Sequence, residues 1–300
     1  MKVLITGACG FVARELIAAL EARGHELVLL DRVSPEDATL FVPGQAERVK
    51  CPLVTKWTYW KAEIADAGAM RKAARGVDAV VHLAAAVSGL PEHGIATMHT
   101  NVCGTYVVLE AAHQAGVRRV LCASSINAFG TMYWRLSKTP VEYRRLPLDE
   151  SFEAVPEDPY SLSKLCNEQT CAAFSRAYGM TTAALRFAGM WTREQYATVR
   201  AAGPSPTRSW SNDLFQWAHV ADIAAGIRQA LEFPDLPSHG VYTLAAADTR
   251  CPEPTLEILE RFQPELARSL AAPLSGRAPL LSIRRAQEAF GYAPAYRLWD

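Results

Sequence analysis

No apolar run in this chain reaches the roughly 18–20 residues that a helical membrane span requires, so a spanning helix is not expected. Charge of one sign is not in excess either: 31 Lys and Arg stand against 31 Asp and Glu. A chain so balanced has no global field to draw nucleic acid or an acidic membrane surface. Its seven cysteines are scattered, with no Cys-x-x-Cys pair and no Cys/His ligand spacing. That argues against a metal site and for reduced, mostly buried thiols in a cytoplasmic protein. A signal peptide is not expected, because the second residue already enters a strand-like run. Internal repeats and low-complexity tracts are missing too.

What is there is the make-up of an ordinary globular protein, 50% hydrophobic and 21% charged. Three hundred residues support one large α/β domain, or one domain with a smaller lobe. The organising stretch is residues 2–13. Val3-Leu4-Ile5 is a short apolar run of the buried, parallel-strand kind. Thr6-Gly7-Ala8-Cys9-Gly10 is a turn, and Phe11 opens a helical pattern (Val12, Leu16, Ile17, Leu20) that stops at Gly24. Strand, glycine turn and helix together form the context of a dinucleotide-binding fingerprint. Gly7 permits the tight turn, Gly10 lets the backbone approach a pyrophosphate, and Ala13 takes the third, helix-packing position. The first-turn N–H groups then face the anion. Asp31 ends the next apolar run, Leu27–Leu30, about twenty residues on, where a carboxylate grips the adenosine ribose hydroxyls. It favours NAD over NADP, a preference that the adjacent Arg32 softens.

Beyond Asp31 an irregular segment with Pro35, Pro43, Gly44 and Pro52 is expected to run to about Thr55. Strands are expected at Trp57–Trp60, Asp78–Leu83, Arg119–Ala123 and Thr182–Phe187. Helices are expected after an Asp66 N-cap to Gly76, over Thr97–Ala115 and over Tyr160–Tyr178. Strands alternating with helices imply a doubly wound parallel sheet. The polar, proline-bearing loop 126–158 is long enough to be functional. After Phe187 the pattern loosens into a helix at His219–Phe233, a strand at Val241–Leu244 and short helices at Thr255–Phe262 and Ser282–Phe290. The expected division is therefore a dinucleotide-binding domain over 1–187 and a small substrate lobe over 188–300, interleaved with the core.

Tyr160-Ser161-Leu162-Ser163-Lys164 places Tyr and Lys four apart at a helix start, on one face. A free tyrosine is a poor base at neutral pH, and a lysine ammonium beside it favours the phenolate. The same lysine can hydrogen-bond the nicotinamide ribose. Ser125 follows the fifth strand at its C-terminal end, the edge where open α/β sheets bind ligands. Its hydroxyl can orient a substrate oxygen toward Tyr160. The set suits reversible oxidation of a secondary alcohol.

In these motifs the chain resembles an extended short-chain dehydrogenase/reductase of the NAD-dependent epimerase/dehydratase family. The resemblance rests on Thr6–Val12, His82-Leu83-Ala84-Ala85, Asn101–Thr105, Ser124–Gly130, Tyr160–Lys164 and His219–Ala224. It implies a Rossmann-type sheet, Ser125, Tyr160 and Lys164 as catalytic residues, and a homodimer through the helices near 97–115 and 160–178. It also implies an NAD site lined by Gly7, Gly10, Phe11, Val12, Asp31, Glu63, Ile64, Leu83, Ala84, Ala85 and Asn101, with Phe187–Met190 flanking the nicotinamide. Phe129 and Glu63 depart from the family's usual tyrosine and aspartate.

Only about thirty residues separate the sixth strand from His219, far fewer than in enzymes of this family that clasp a nucleotide sugar. In layout the chain is similar to uronate dehydrogenases. The expected reaction is NAD-dependent oxidation of a hydroxyl on a small polar substrate, a sugar or sugar acid. The alternative is a nucleotide-sugar epimerase or dehydratase that retains its NAD. Ser88, Asn127 and Met190 are candidate substrate contacts. Of Arg193, Arg200 and Arg208, the last is preferred for holding a carboxylate. His219 is expected to be structural, and Trp191, Trp210 and Trp217 to be packing.

Overall fold

Val3 and Ile5 are buried on one face of a sheet and Leu4 on the other, so the run shows no polar alternation: a parallel strand covered on both faces has no solvent side. The computed structural model describes residues 1–40, 47–139, 141–143, 145–270 and 274–299. Its main sheet consists of β1 (Lys2–Thr6), β2 (Glu26–Asp31), β3 (Thr58–Lys61), β4 (Ala79–His82), β5 (Arg119–Ser125), β6 (Thr181–Phe187) and β7 (His239–Leu244). Their spatial order is 3-2-1-4-5-6-7, and every neighbouring pair is parallel. This is a Rossmann-type, doubly wound α/β sheet. The order reverses between β1 and β4, where the crevice for a ligand opens at the strands' C-terminal ends.

The helices, in chain order, are α1 (Phe11–Glu21), α2 (Ala67–Ala73), α3 (Gly94–Met98), α4 (Gly104–Gln114), α5 (Pro159–Tyr178), α6 (Arg193–Ala202), α7 (Val220–Glu232), α8 (Thr255–Phe262), α9 (Pro264–Arg268) and α10 (Arg284–Phe290). Leu16 and Ile17 of α1 join Ile223 and Ile227 of α7 on one face of the sheet. Met70 of α2, Val108 and Leu109 of α4, and Cys171 and Phe174 of α5 cover the other. Asp66 caps α2 as expected, accepting from the Ala69 N–H at 3.0 Å.

Three regions differ from the sequence expectation. The helix expected at Thr97–Ala115 begins earlier, at Gly94, and contains a π-helical turn over His99–Cys103. The irregular segment after Asp31 includes a short antiparallel ladder, Thr39–Leu40 against Val49–Lys50; Pro43 and Gly44 lie outside the described residues. A helix, α6, stands where no element was expected. Beyond Phe187 the chain returns to the sheet: β7 pairs with β6, and α7 packs on α1.

Candidate active site

The glycine turn is built by contact as much as by conformation. Gly7 has a left-handed backbone (φ +72°), and a Cβ there would lie 2.7 Å from the Ala84 nitrogen. The turn thus lies flush against the end of β4, which continues into Leu83-Ala84-Ala85. Gly10 donates to the Gly7 carbonyl at 3.0 Å and starts α1 with no capping side chain and no acidic residue in the first turn. The positive end of α1 therefore faces the turn uncompensated, with the N–H groups of Phe11 and Val12 at its start. Ala13 is buried in the core. These features fit a dinucleotide pyrophosphate.

At the end of β2 the Asp31 carboxylate accepts from the Cys9 N–H at 3.0 Å and the Val33 N–H at 3.2 Å. These bonds hold it beside the glycine turn, while Arg32 is exposed. Two bracing residues had no sequence signal, because the contacts join distant segments. The Tyr59 hydroxyl donates to the Val33 carbonyl and lies 3.2 Å from the Cys9 thiol. Burial pushes both the thiol and the phenol up. Arg14 donates to the carbonyls of Cys9 at 3.2 Å and Pro52 at 3.1 Å, and also to that of Cys51. Glu63 is exposed. Ile64 is buried, and a Cβ on Gly104 would lie 2.6 Å from its Cδ1, so its side chain belongs to the core.

Asn101 lies in the π-helical turn, a local irregularity often found at functional sites. It is only 1% exposed. Its Oδ1 accepts from the Ala86 N–H at 2.7 Å, and its Nδ2 donates to the Ala86 carbonyl and to Ser163 Oγ, both at 2.9 Å. Ser163 in turn donates to the Tyr160 carbonyl at 2.7 Å. Asn101 thus ties the loop after β4 to the first turn of α5.

Helix α5 starts where Asp158 caps it, accepting from the Ser161 N–H at 3.0 Å, with Pro159 in the first turn. The cap places Tyr160 in the first turn and Lys164 one turn on. Lys164 is 2% exposed; its ammonium donates to the Ala123 carbonyl at 2.9 Å and lies 5.5 Å from the Tyr160 ring centroid. Ser125 ends β5 beside Phe187, its register partner on β6, and its Oγ accepts from the Asn127 N–H at 3.1 Å. Ser125, Tyr160, Lys164 and Phe187 thus come from adjoining elements, α5 packing on both β5 and β6. Beneath them Glu168 and Arg186 form a buried bidentate pair, with both bonds at 2.8 Å, and Ser124 donates to Glu168 at 2.6 Å. His82, fully buried, lies between Thr6 Oγ1 at 2.7 Å and Thr105 Oγ1 at 3.0 Å. Burial, with the Lys164 charge adding to it, holds this imidazole down to about 3, so it is neutral.

Of the expected substrate contacts, Asn127 is 6% exposed, and its Oδ1 is buried without a hydrogen-bond partner among the described residues. Ser88 Oγ lies 2.8 Å from His93 Nδ1. Met190 is half-buried in a two-residue strand beside Ala218. Arg193 pairs with Glu15 at 2.7 Å, and Arg200 donates to the Leu298 carbonyl at 2.7 Å. Arg208 is exposed on a cavity of about 590 Å³ walled by Trp191, Trp210, Phe215, Arg250 and Trp299. The walls of this cavity include none of Ser125, Tyr160 and Lys164. Trp217 is fully buried and donates to Asp248 at 3.0 Å. His219 caps α7, accepting from the Ala221 N–H at 3.2 Å, and stacks on Tyr296 with centroids 3.5 Å apart.

A parallel sheet with its glycine turn at the switch point, and a Tyr/Lys pair one helical turn apart, defines a dinucleotide-dependent enzyme. The chain belongs to the NAD dependent epimerase/dehydratase family, whose model matches residues 3–245. It is 25% identical over 241 residues to the uronate dehydrogenase of Pseudomonas syringae pv. tomato, covering 80% of this chain and 73% of the relative. It is 24% identical to the UDP-glucose 4-epimerase of Streptomyces lividans, covering 98% of this chain and 92% of the relative. Four other UDP-glucose 4-epimerases, one of them putative by name, are matched over only 46–62% of their own length. Among solved structures, a short-chain dehydrogenase/reductase superfamily protein from Agrobacterium tumefaciens with bound NAD superposes with a TM-score of 0.69 at 23% identity, covering 99% of this chain and 94% of that one. No helix among the described residues is long and apolar enough to cross a membrane.

Proposed function

We propose that this protein is a dehydrogenase that binds NAD and oxidises a hydroxyl of a small polar substrate, a free sugar or sugar acid. The observation that carries this reading is the convergence of Ser125, Tyr160 and Lys164 at the C-terminal ends of β5 and β6, next to the switch-point crevice. Gly7, Gly10, Phe11 and Val12 hold the pyrophosphate, Asp31 with Arg32 at its side takes the adenosine ribose, and Leu83, Ala84 and Ala85 line the floor. Bound NAD supplies the hydride acceptor. Ser125 donates to the substrate oxygen, and Tyr160 removes its proton as general base. Lys164 favours the phenolate and anchors the nicotinamide ribose. Residues 188–300 supply the substrate-facing lobe, with Asn127, Ser88 and Met190 toward the reacting carbon.

Arg208 holds a substrate carboxylate in this reading. It alone of the three candidate arginines makes no hydrogen bond or ion pair among the described residues. Likeness to a uronate dehydrogenase supports the acid. The partly exposed Tyr106, Leu162 and Tyr178 on α4 and α5 support a homodimer through those helices.

A second reading, a nucleotide-sugar epimerase that retains NAD, is favoured by the near full-length match to the Streptomyces lividans enzyme. The nucleotide released by denaturing freshly purified protein separates the two. The dehydrogenase reading expects well under one NAD per chain and turnover that requires added NAD. One tightly held NAD per chain, with turnover in its absence from the buffer, would contradict it.

A further inference from the structure

Trp134 has a left-handed backbone, φ +56°, a conformation that is a genuine outlier for so bulky a residue. Its neighbours impose it. Tyr133 donates to Asp213 at 2.9 Å. Arg135 donates to the Gly130 carbonyl at 2.7 Å and pairs with Glu157 at 2.7 Å. Strain held in this way clusters at functional sites. The result is that the indole from the loop after β5 crosses to the loop after β4. A Cβ on Gly89 would fall 2.3 Å from the indole Cδ2 and 2.4 Å from its Cγ, so only a glycine lets the ring lie there. On its other contact the indole meets the Tyr160 ring edge-on, centroids 5.6 Å apart at 76°. One side chain thus closes the gap between the two loops that carry Ser88 and Asn127, directly against the tyrosine.

We propose that Trp134, seated on Gly89, is the wall that sets substrate size at Tyr160, excluding substituents that extend between the loops after β4 and β5. This rests on the reading of Tyr160 as the base. A substrate hydroxyl at Tyr160 must then present a compact ring on the Ser125 and Asn127 side. A substrate with a bulky substituent extending between these two loops meets the indole instead. Gly89 is the positioning residue: a methyl group there moves the indole without touching Tyr160, Ser125 or the glycine turn.

The test compares kcat/KM for a free hexuronic acid with that for the best-used member of a panel of the same acid carrying a benzyl ether at each ring hydroxyl in turn, in wild type, Trp134→Ala, Gly89→Ala and the double variant. Pocket contacts of this kind discriminate about 10- to 200-fold. Each single variant is expected to shift the ratio at least about tenfold toward the larger substrate, mainly through KM, with NAD affinity unchanged. The double variant should equal Trp134→Ala, because the added methyl then meets no indole. A ratio within about twofold of wild type in both single variants, or additive effects in the double, would overturn the wall. Net NADH formation by wild type with the free acid tests the dehydrogenase reading by itself, so the two failures are read from different columns of the same experiment. Should Trp134→Ala not fold, Gly89→Ala alone decides.

Discussion

The Lys164 ammonium donates to the Ala123 carbonyl at 2.9 Å, two residues before Ser125. This bond locks the first turns of α5 to the end of β5. A short motif in a helix and a serine on a strand become one site through it. Replacing Tyr160 by Phe leaves that lock in place and removes only the hydroxyl. Turnover should fall by about 10³-fold or more, the upper range for losing a general base, while NAD affinity measured by fluorescence titration stays within about twofold. Equal loss of both would remove Tyr160 from the chemistry.

Gly7→Ala combines a left-handed backbone with a Cβ 2.7 Å from the Ala84 nitrogen. The substitution must shift either the turn or the loop after β4. A loss of about 1–3 kcal/mol is expected, together with a severe loss of NAD affinity. Denaturant unfolding and NAD titration check the two effects separately.

Glu168 and Arg186 are 2% and 4% exposed, and breaking such a pair leaves an uncompensated buried charge. Arg186→Met should cost about 3–5 kcal/mol, whereas replacing both partners with apolar residues should recover much of that loss. A double-mutant cycle on unfolding free energies measures it. The catalytic rate of surviving protein should also fall, since Ser124 and α5 meet on Glu168.

His82 sets a pH dependence of stability. Its folded value is held down to about 3 by burial, against an ordinary value of 6.5. Between these limits the unfolded chain binds a proton that the fold does not, so stability rises with pH and is lost as pH falls below 6.5. From pH 6.5 to 5 the loss is about 2 kcal/mol for this histidine. His219, held down to about 4 by burial, acts with the same sign. Asp222 and Asp248, raised by burial, oppose the trend nearer the carboxylate range. Thermal unfolding across this window should show the slope, and His82→Gln should flatten it.

The sheet was legible because its strands are covered on both faces. Val3–Ile5 and Leu27–Leu30 are apolar runs with no other use, bounded by glycine or an acid. The Tyr160/Lys164 pair was legible because helical spacing alone puts the two on one face. Helix α6 was not: none of its residues is fully buried, its apolar face is only Tyr196 and Val199, half-buried against the Trp217 cluster, and its clearest signal was the capping box of Thr192 with Gln195. The grip of Asn101 on Ala86, and the left-handed Trp134 against Gly89, join segments far apart in the chain. Local patterning does not encode such contacts.

The most direct test is NADH formation by purified protein with excess NAD, offered free hexuronic acids and aldoses beside nucleotide sugars. The account predicts net NADH with a free sugar or sugar acid, and none in Tyr160→Phe. Conversion of a nucleotide sugar with no net NADH, and no reaction with the free substrates, would contradict it.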